Sequence, residues 1–202
     1  HLLPASLSTF REFNKHYSVP NQKMTIIPLG IDLSRYAPNR DPAFADKLGI
    51  SEHFVLLYVG FCTPRKGLEY LAQAMRRLPQ DVMLVIVGRW DPKYKARFRA
   101  CLGSAANRVV LVGYVPDSEL ARYYSVADAF VFPSLLEGFG LPLAEALACG
   151  LPVISTNISS VPEVVGPGGL LVPPGDVKGL EEAILRLYHM PELRRKLSER
   201  GR

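Results

Sequence analysis

Six short runs dominated by Val, Leu and Ile recur along the chain, at Phe54–Val59, Val82–Val87, Val109–Val112, Ala129–Phe132, Val153–Ser155 and Leu170–Val172. Each is almost continuously apolar, the pattern of a strand covered on both faces, whereas a half-solvated strand alternates. The intervals between them carry apolar residues at helical spacing. Leu68, Leu71, Ala72 and Met75 form one such stripe, Leu120, Tyr123 and Tyr124 a second, and Leu180, Ala183, Ile184 and Leu187 a third. Strand and helix in strict alternation predict an α/β domain, a doubly wound parallel sheet of about six strands, beginning near residue 50.

Composition narrows the class further. With 48% apolar and 21% charged residues among 202, the chain has the material for a packed core, so disorder is not expected. No run approaches the roughly 18 apolar residues of a spanning helix, and the first residues lack a signal pattern. Cys62, Cys101 and Cys149 are an odd number without metal-ligand spacing, which argues against a disulfide framework or zinc site and for a reducing compartment. A soluble, cytoplasmic protein is expected. The net charge of +5 suits an anionic partner, whether a phosphate-bearing substrate, a membrane surface or nucleic acid. The basic residues are spread along helical stretches such as 93–99 and 194–202 and form no stripe interleaved with aromatics, so nucleic acid is not the expected partner.

Ligands of such sheets bind beyond the carboxyl ends of the strands, which directs attention to two loops. The first is Gly60-Phe61-Cys62-Thr63-Pro64-Arg65-Lys66-Gly67; the second runs from Pro133 to Pro142 and contains Glu137-Gly138-Phe139-Gly140-Leu141. Two glycines feeding a helix whose start is marked by Pro142 make an anion site, because free N–H groups and the helix dipole both favour a phosphate there. The flanking carboxylates, Glu137 and Glu145, would repel phosphate and are matched instead to hydroxyl donors. A ligand carrying both phosphates and sugar hydroxyls satisfies the whole pattern. Taken singly, Glu145 could merely complement a helix dipole in its first turn and Glu137 could be a solvated loop residue. Arg65 and Lys66 are expected to open the first helix, where cations oppose the dipole; two charges beside a helix start would neutralise a diphosphate as it departs.

These residues carry a resemblance. The Glu-x7-Glu signature at Glu137 and Glu145, the Gly-x5-Lys-Gly loop at 60–67, Gly113-Tyr114-Val115 and Ala127-Asp128-Ala129-Phe130-Val131-Phe132-Pro133-Ser134 together resemble a family-4 glycosyltransferase of the GT-B fold, over about residues 24–190. The resemblance implies a retaining enzyme that moves a hexose, of mannose or glucose type, from a nucleotide diphosphate sugar to an acceptor hydroxyl. By position, Glu137 would hold sugar hydroxyls near the reacting carbon and Glu145 the ribose. The amides of Gly138, Phe139, Gly140 and Leu141 would meet sugar and diphosphate. Lys66 would neutralise the diphosphate, helped by Arg65, and the backbone at Tyr114 and Val115 would contact the base, with Gly60 lining the donor side.

Many such enzymes have arginine directly after Gly60, where this chain has Phe61; Arg65 is the candidate replacement. No Asp-x-Asp occurs and no metal or other cofactor is expected, fixed cations taking that role. The nearest acidic spacing, Asp117-Ser118-Glu119, is read as a helix cap. Residues 50–202 are assigned to the nucleotide-sugar-binding Rossmann-like domain, the C-terminal half of a GT-B fold. Residues 1–49, with a short helix near 7–17, a strand-like Met24–Pro28 and a Pro, Asn and Asp-rich stretch, are assigned to the tail of an acceptor domain and a linker. The acceptor, a sugar or a lipid-linked one, would then bind on an N-terminal domain that these residues largely lack, so weak donor binding and little transfer are expected of them alone. Peripheral contact with the inner face of the cell membrane accords with the basic charge. Two other readings stay open: a phosphorylase or epimerase on the same fold, and a nucleotide-binding module without catalysis.

The remaining features have plain readings. Gly166-Pro167-Gly168-Gly169 is a turn before the last strand, Trp90 and Tyr94 are packing residues, and none of His1, His16, His53 and His189 lies on a loop where a histidine base would serve.

Overall fold

A computed structural model describes residues 1–202. In chain order its helices are α1 (Leu7–Tyr17), α2 (Pro42–Leu48), α3 (Leu68–Met75), α4 (Pro92–Leu102), α5 (Asp117–Ser125), α6 (Leu141–Ala148), α7 (Val161–Val165), α8 (Val177–His189) and α9 (Pro191–Gly201). The strands are β1 (Phe54–Val59), β2 (Val82–Val87), β3 (Val109–Gly113), β4 (Ala129–Phe132), β5 (Val153–Thr156) and β6 (Gly169–Val172). All six form one parallel sheet in the order β3-β2-β1-β4-β5-β6. The six apolar runs are these six strands, and the doubly wound architecture is as the alternation predicts.

Helices cover both faces of the sheet, α3 packing with α4 and α8, and α6 with α7 and α9. Burial on both sides explains why the central strands read as unbroken apolar runs: Leu56, Leu57, Phe130 and Val131 are wholly inaccessible. Because the chain winds outward from β1 to β3 and then returns to β4, the strand order reverses between β1 and β4. The crevice beyond their carboxyl ends is the place where such sheets bind ligands.

Several local expectations are changed. Residues 42–48 are helical, since Asp41 Oδ1 accepts the Phe44 N–H at 3.0 Å and Pro42 occupies the first turn. From the same segment, Tyr36 and Phe44 enter the core, edge-on to Tyr124 and Tyr123 at 5.8 and 5.0 Å. Met24 makes an isolated bridge with Leu2 instead of starting a strand in the sheet. Asp117 and Glu119 are not the cap of α5: Pro116 holds that position, and the two carboxylates sit inside the first turn without a capping hydrogen bond. No helix is long and apolar enough to cross a membrane.

Candidate donor site at the strand switch point

The loops after β1 and β4 are stitched together before any side chain is considered. Leu135 N–H donates to Arg65 O at 2.8 Å, and Arg65 Nη1 returns a bond to Leu136 O at 2.7 Å. Between them Gly67 adopts φ +62°, and a Cβ there would stand 2.2 Å from Pro133 O, so only glycine allows the loops to approach this closely. That geometry corrects one expectation. Arg65 and Lys66 do not open α3; they form a short 3-10 turn, Pro64–Lys66, which the left-handed Gly67 separates from the helix. They therefore precede the helix and form no part of its first turn.

The stitched loops bring Lys66 onto Glu137. Its ammonium donates to Glu137 Oε1, with Arg65 Nη1 3.6 Å from the same oxygen. Lys66 and Glu137 are only 7% and 8% exposed, whereas the Arg65 side chain is half-exposed. Burial lowers the Lys66 pKa, and the bond to Glu137 opposes that shift. Nζ also lies 4.7 Å from the Phe132 ring centroid, a further stabilising contact for the cation. The Lys66 ammonium makes no hydrogen bond to any other protein group, which leaves donors on it for a ligand anion.

From Glu137 the chain passes through the glycine turn into α6. Gly140 precedes the helix at φ +91° and Pro142 lies in the first turn. The N–H groups of Gly138, Phe139, Gly140 and Leu141 donate to no acceptor in the protein. Such a succession of free amides at a helix start is chemically suited to an anion.

Glu145 lies apart from the Lys66–Glu137 pair, past the first turn of α6, which excludes the reading of it as a first-turn dipole complement. Tyr124 Oη donates to its Oε2 at 2.7 Å. Burial raises the Glu145 pKa, and hydrogen bonds from Tyr124 and Tyr36 work against the shift. A second concavity, a hollow of about 280 Å³, lies beyond β1, β2 and β3 and is lined by Gly60, Phe61, Arg89, Tyr114, Val115 and Asp117 among others. The largest hollow, about 610 Å³, includes Pro38, Pro152 and Arg194 and lies away from these loops. The candidate residues thus fall into three groups, the buried ion pair with the free amides, Glu145 with its tyrosines, and the hollow around Tyr114.

Three contributors were not foreseen. Arg89 stacks on the Tyr114 ring at 4.5 Å and supplies a cation to the hollow beside Phe61; the signal was there, because Gly88-Arg89 follows β2 as Gly60-Phe61 follows β1. In the sequence Tyr124 is only a member of an apolar stripe. Ser160, wholly buried, donates to the glycine turn and has no distinguishing sequence pattern.

Comparison with known proteins accords with this arrangement. Residues 40–202 match the family described as glycosyl transferases group 1. The O-antigen chain mannosyltransferase B of Escherichia coli is 37% identical over 151 residues, which are 72% of this chain and 39% of that protein. The MMP alpha-(1->4)-mannosyltransferase of Mycolicibacterium hassiacum is 30% identical across 100% of this chain and 48% of its own length. Among solved structures, sucrose-phosphate synthase from Thermosynechococcus elongatus superposes with a TM-score of 0.86 at 34% identity, over 98% of this chain and 51% of that one. The chain spans about half the length, or less, of these relatives. With its fold, its paired loops and its Glu-x7-Glu turn, the chain belongs to the glycosyl transferases group 1 family.

Proposed function

We propose that these residues are the donor-binding part of a glycosyltransferase that transfers a hexose from a nucleotide diphosphate sugar to an acceptor hydroxyl with retention of configuration. The observation that carries the reading is the buried Lys66–Glu137 pair seated beside four free amides. An ammonium and amides suit a diphosphate, while a carboxylate held next to them suits the hydroxyls of the sugar joined to it. As the glycosidic bond breaks, negative charge grows on the diphosphate, and Lys66, Arg65 and the amides of Gly138, Phe139, Gly140 and Leu141 stabilise it without reorganising. Glu137 orients the sugar. Glu145, one of its oxygens held by Tyr124, accepts the ribose hydroxyls, and the hollow at Tyr114 and Val115 receives the base. In this reading fixed cations do the work that a metal ion does elsewhere.

Two relatives are named mannosyltransferases, which supports mannose as the hexose. Acceptor recognition, for a sugar or a lipid-linked sugar, is placed on the portion of the relatives that these residues do not match. The net charge of +5 supports work beside anionic lipid headgroups.

The test is transfer by the whole protein that contains these residues, offered GDP-mannose and UDP-glucose, with the product anomer read by NMR. Glu137→Ala is expected to abolish transfer. Full activity of that variant, or an inverted product, would sink the reading.

A further inference from the structure

Three consecutive carbonyl oxygens of the glycine turn, those of Glu137, Gly138 and Phe139, are met by side-chain hydroxyls. Ser160, wholly buried just before α7, donates its single hydroxyl proton to Phe139 O at 3.1 Å and shares it with Glu137 O at 3.4 Å. Between these two, Gly138 O accepts from Ser6 Oγ at 3.1 Å and from Thr9 Oγ1 at 3.2 Å. Both hydroxyls belong to the start of α1, which is itself anchored by Glu163. Three consecutive peptide groups are thus fixed by hydroxyls from two distant parts of the chain.

In a trans peptide the N–H of one residue points opposite to the carbonyl of the residue before it. Tying back the carbonyls of Glu137 and Phe139 therefore turns the Gly138 and Gly140 amides away from the buried Ser160. Tying back Gly138 O turns the Phe139 amide away from α1. All three are among the amides that donate to nothing in the protein. Peptides flanked by glycine rotate with little steric resistance, and a rotated peptide would present a carbonyl oxygen where an anion is to sit. Orientation of this turn is thus a separate requirement from its being glycine-rich.

We propose that Ser160 is the positioning residue of the diphosphate cradle, its hydroxyl pre-orienting the Gly138 and Gly140 amides, with Thr9 and Ser6 doing the same for Phe139. The proposal rests on the donor-site reading given above. Ser160 brings no charge and touches no phosphate; it acts by removing the need to reorganise the turn on binding.

The experiment compares GDP and UDP with guanosine and uridine on the whole protein that contains these residues, the diphosphates by calorimetry and the nucleosides by ligand-observed NMR. Ser160→Ala is expected to weaken diphosphate binding about tenfold, the effect of losing one well-made hydrogen bond's orientation, and to leave nucleoside binding within about twofold. Ser160→Thr, which keeps the hydroxyl, restores the diphosphate affinity. Equal diphosphate binding by wild type and Ser160→Ala overturns the proposal, as does a parallel loss of nucleoside binding, which a merely structural role would give. If neither diphosphate binds the wild type, the donor-site reading itself fails, and that result is distinct from the other two. Should the Ser160 variants fail to fold, Thr9→Val reads the same ratio from the partly exposed side. A loss of about threefold in diphosphate binding alone supports the proposal, and an unchanged ratio overturns it.

Discussion

The Lys66 ammonium and the Glu137 carboxylate meet at the switch point as an ion pair almost wholly removed from water, although 70 residues separate them along the chain. Each charge is desolvated, so each depends on the other. Removing one partner leaves an uncompensated buried charge, which typically costs about 3–5 kcal/mol, while replacing both together is far less damaging. Arg65, 3.6 Å away, offsets part of the loss when Lys66 is removed.

We therefore expect Lys66→Met to destabilise the chain by about 3 kcal/mol in urea unfolding and Lys66→Met/Glu137→Leu to recover most of it. Both variants should lose diphosphate binding. Additive losses in the double variant would mean that the pair contributes nothing to stability as a pair.

Glu145 supplies a pH signature. Its folded pKa is raised above 4.5 by burial, so between 4.5 and the raised value the folded state holds a proton that the unfolded state has released. The stabilisation from this group is complete below 4.5 and is lost as pH rises through the folded pKa. Glu145→Gln cannot titrate. The melting temperature of that variant relative to wild type should increase from pH 4 to pH 7, measured by calorimetry in matched buffers. A pH-independent difference would place Glu145 in an ordinary aqueous setting.

Much of this arrangement can be read in the sequence, and the reasons for the exceptions are physical. The six strands are legible because burial on both faces leaves no polar alternation to confuse them, and the two loops follow from the strand ends. Helix α2 has only seven residues and a single buried side chain, Phe44, whose partner Tyr123 is remote in sequence. The same distance problem hides Tyr124, an unremarkable stripe member until Glu145 arrives 21 residues later to accept its hydroxyl. The sequence puts Arg65 and Lys66 at a helix start because the left-handed turn at Gly67, set by the closeness of Pro133, is a tertiary constraint.

That constraint is open to test. Gly67→Ala would need a left-handed backbone, costing about 1–2 kcal/mol, and would press a methyl group into the Pro133 carbonyl. Backbone cannot yield as a side chain would. A loss of at least about 2 kcal/mol is expected, with weakened diphosphate binding because Lys66 is the adjacent residue. A neutral result in chemical denaturation would show that the two loops can separate without cost.

The attachment of α1 yields the last expectation. No residue of this helix is buried, so apolar packing does little to hold it in place. What holds its start is Glu163, whose two carboxylate oxygens accept the Leu7 and Ser8 amides at 2.7 Å each, on a helix terminus that favours negative charge. Glu163→Gln removes the charge and one of the two acceptors, so the helix should open locally long before the sheet unfolds. Hydrogen exchange at the first-turn amides should accelerate about fivefold, an opening cost reduced by about 1 kcal/mol, with the global melting temperature nearly unchanged. Because Thr9 and Ser6 reach Gly138 only while α1 is docked, diphosphate binding should fall only by the fraction of molecules in which α1 has opened, and so stay near the wild-type value while the helix remains mostly docked. Unchanged exchange at the Leu7 and Ser8 amides would show that Glu163 does not hold the helix.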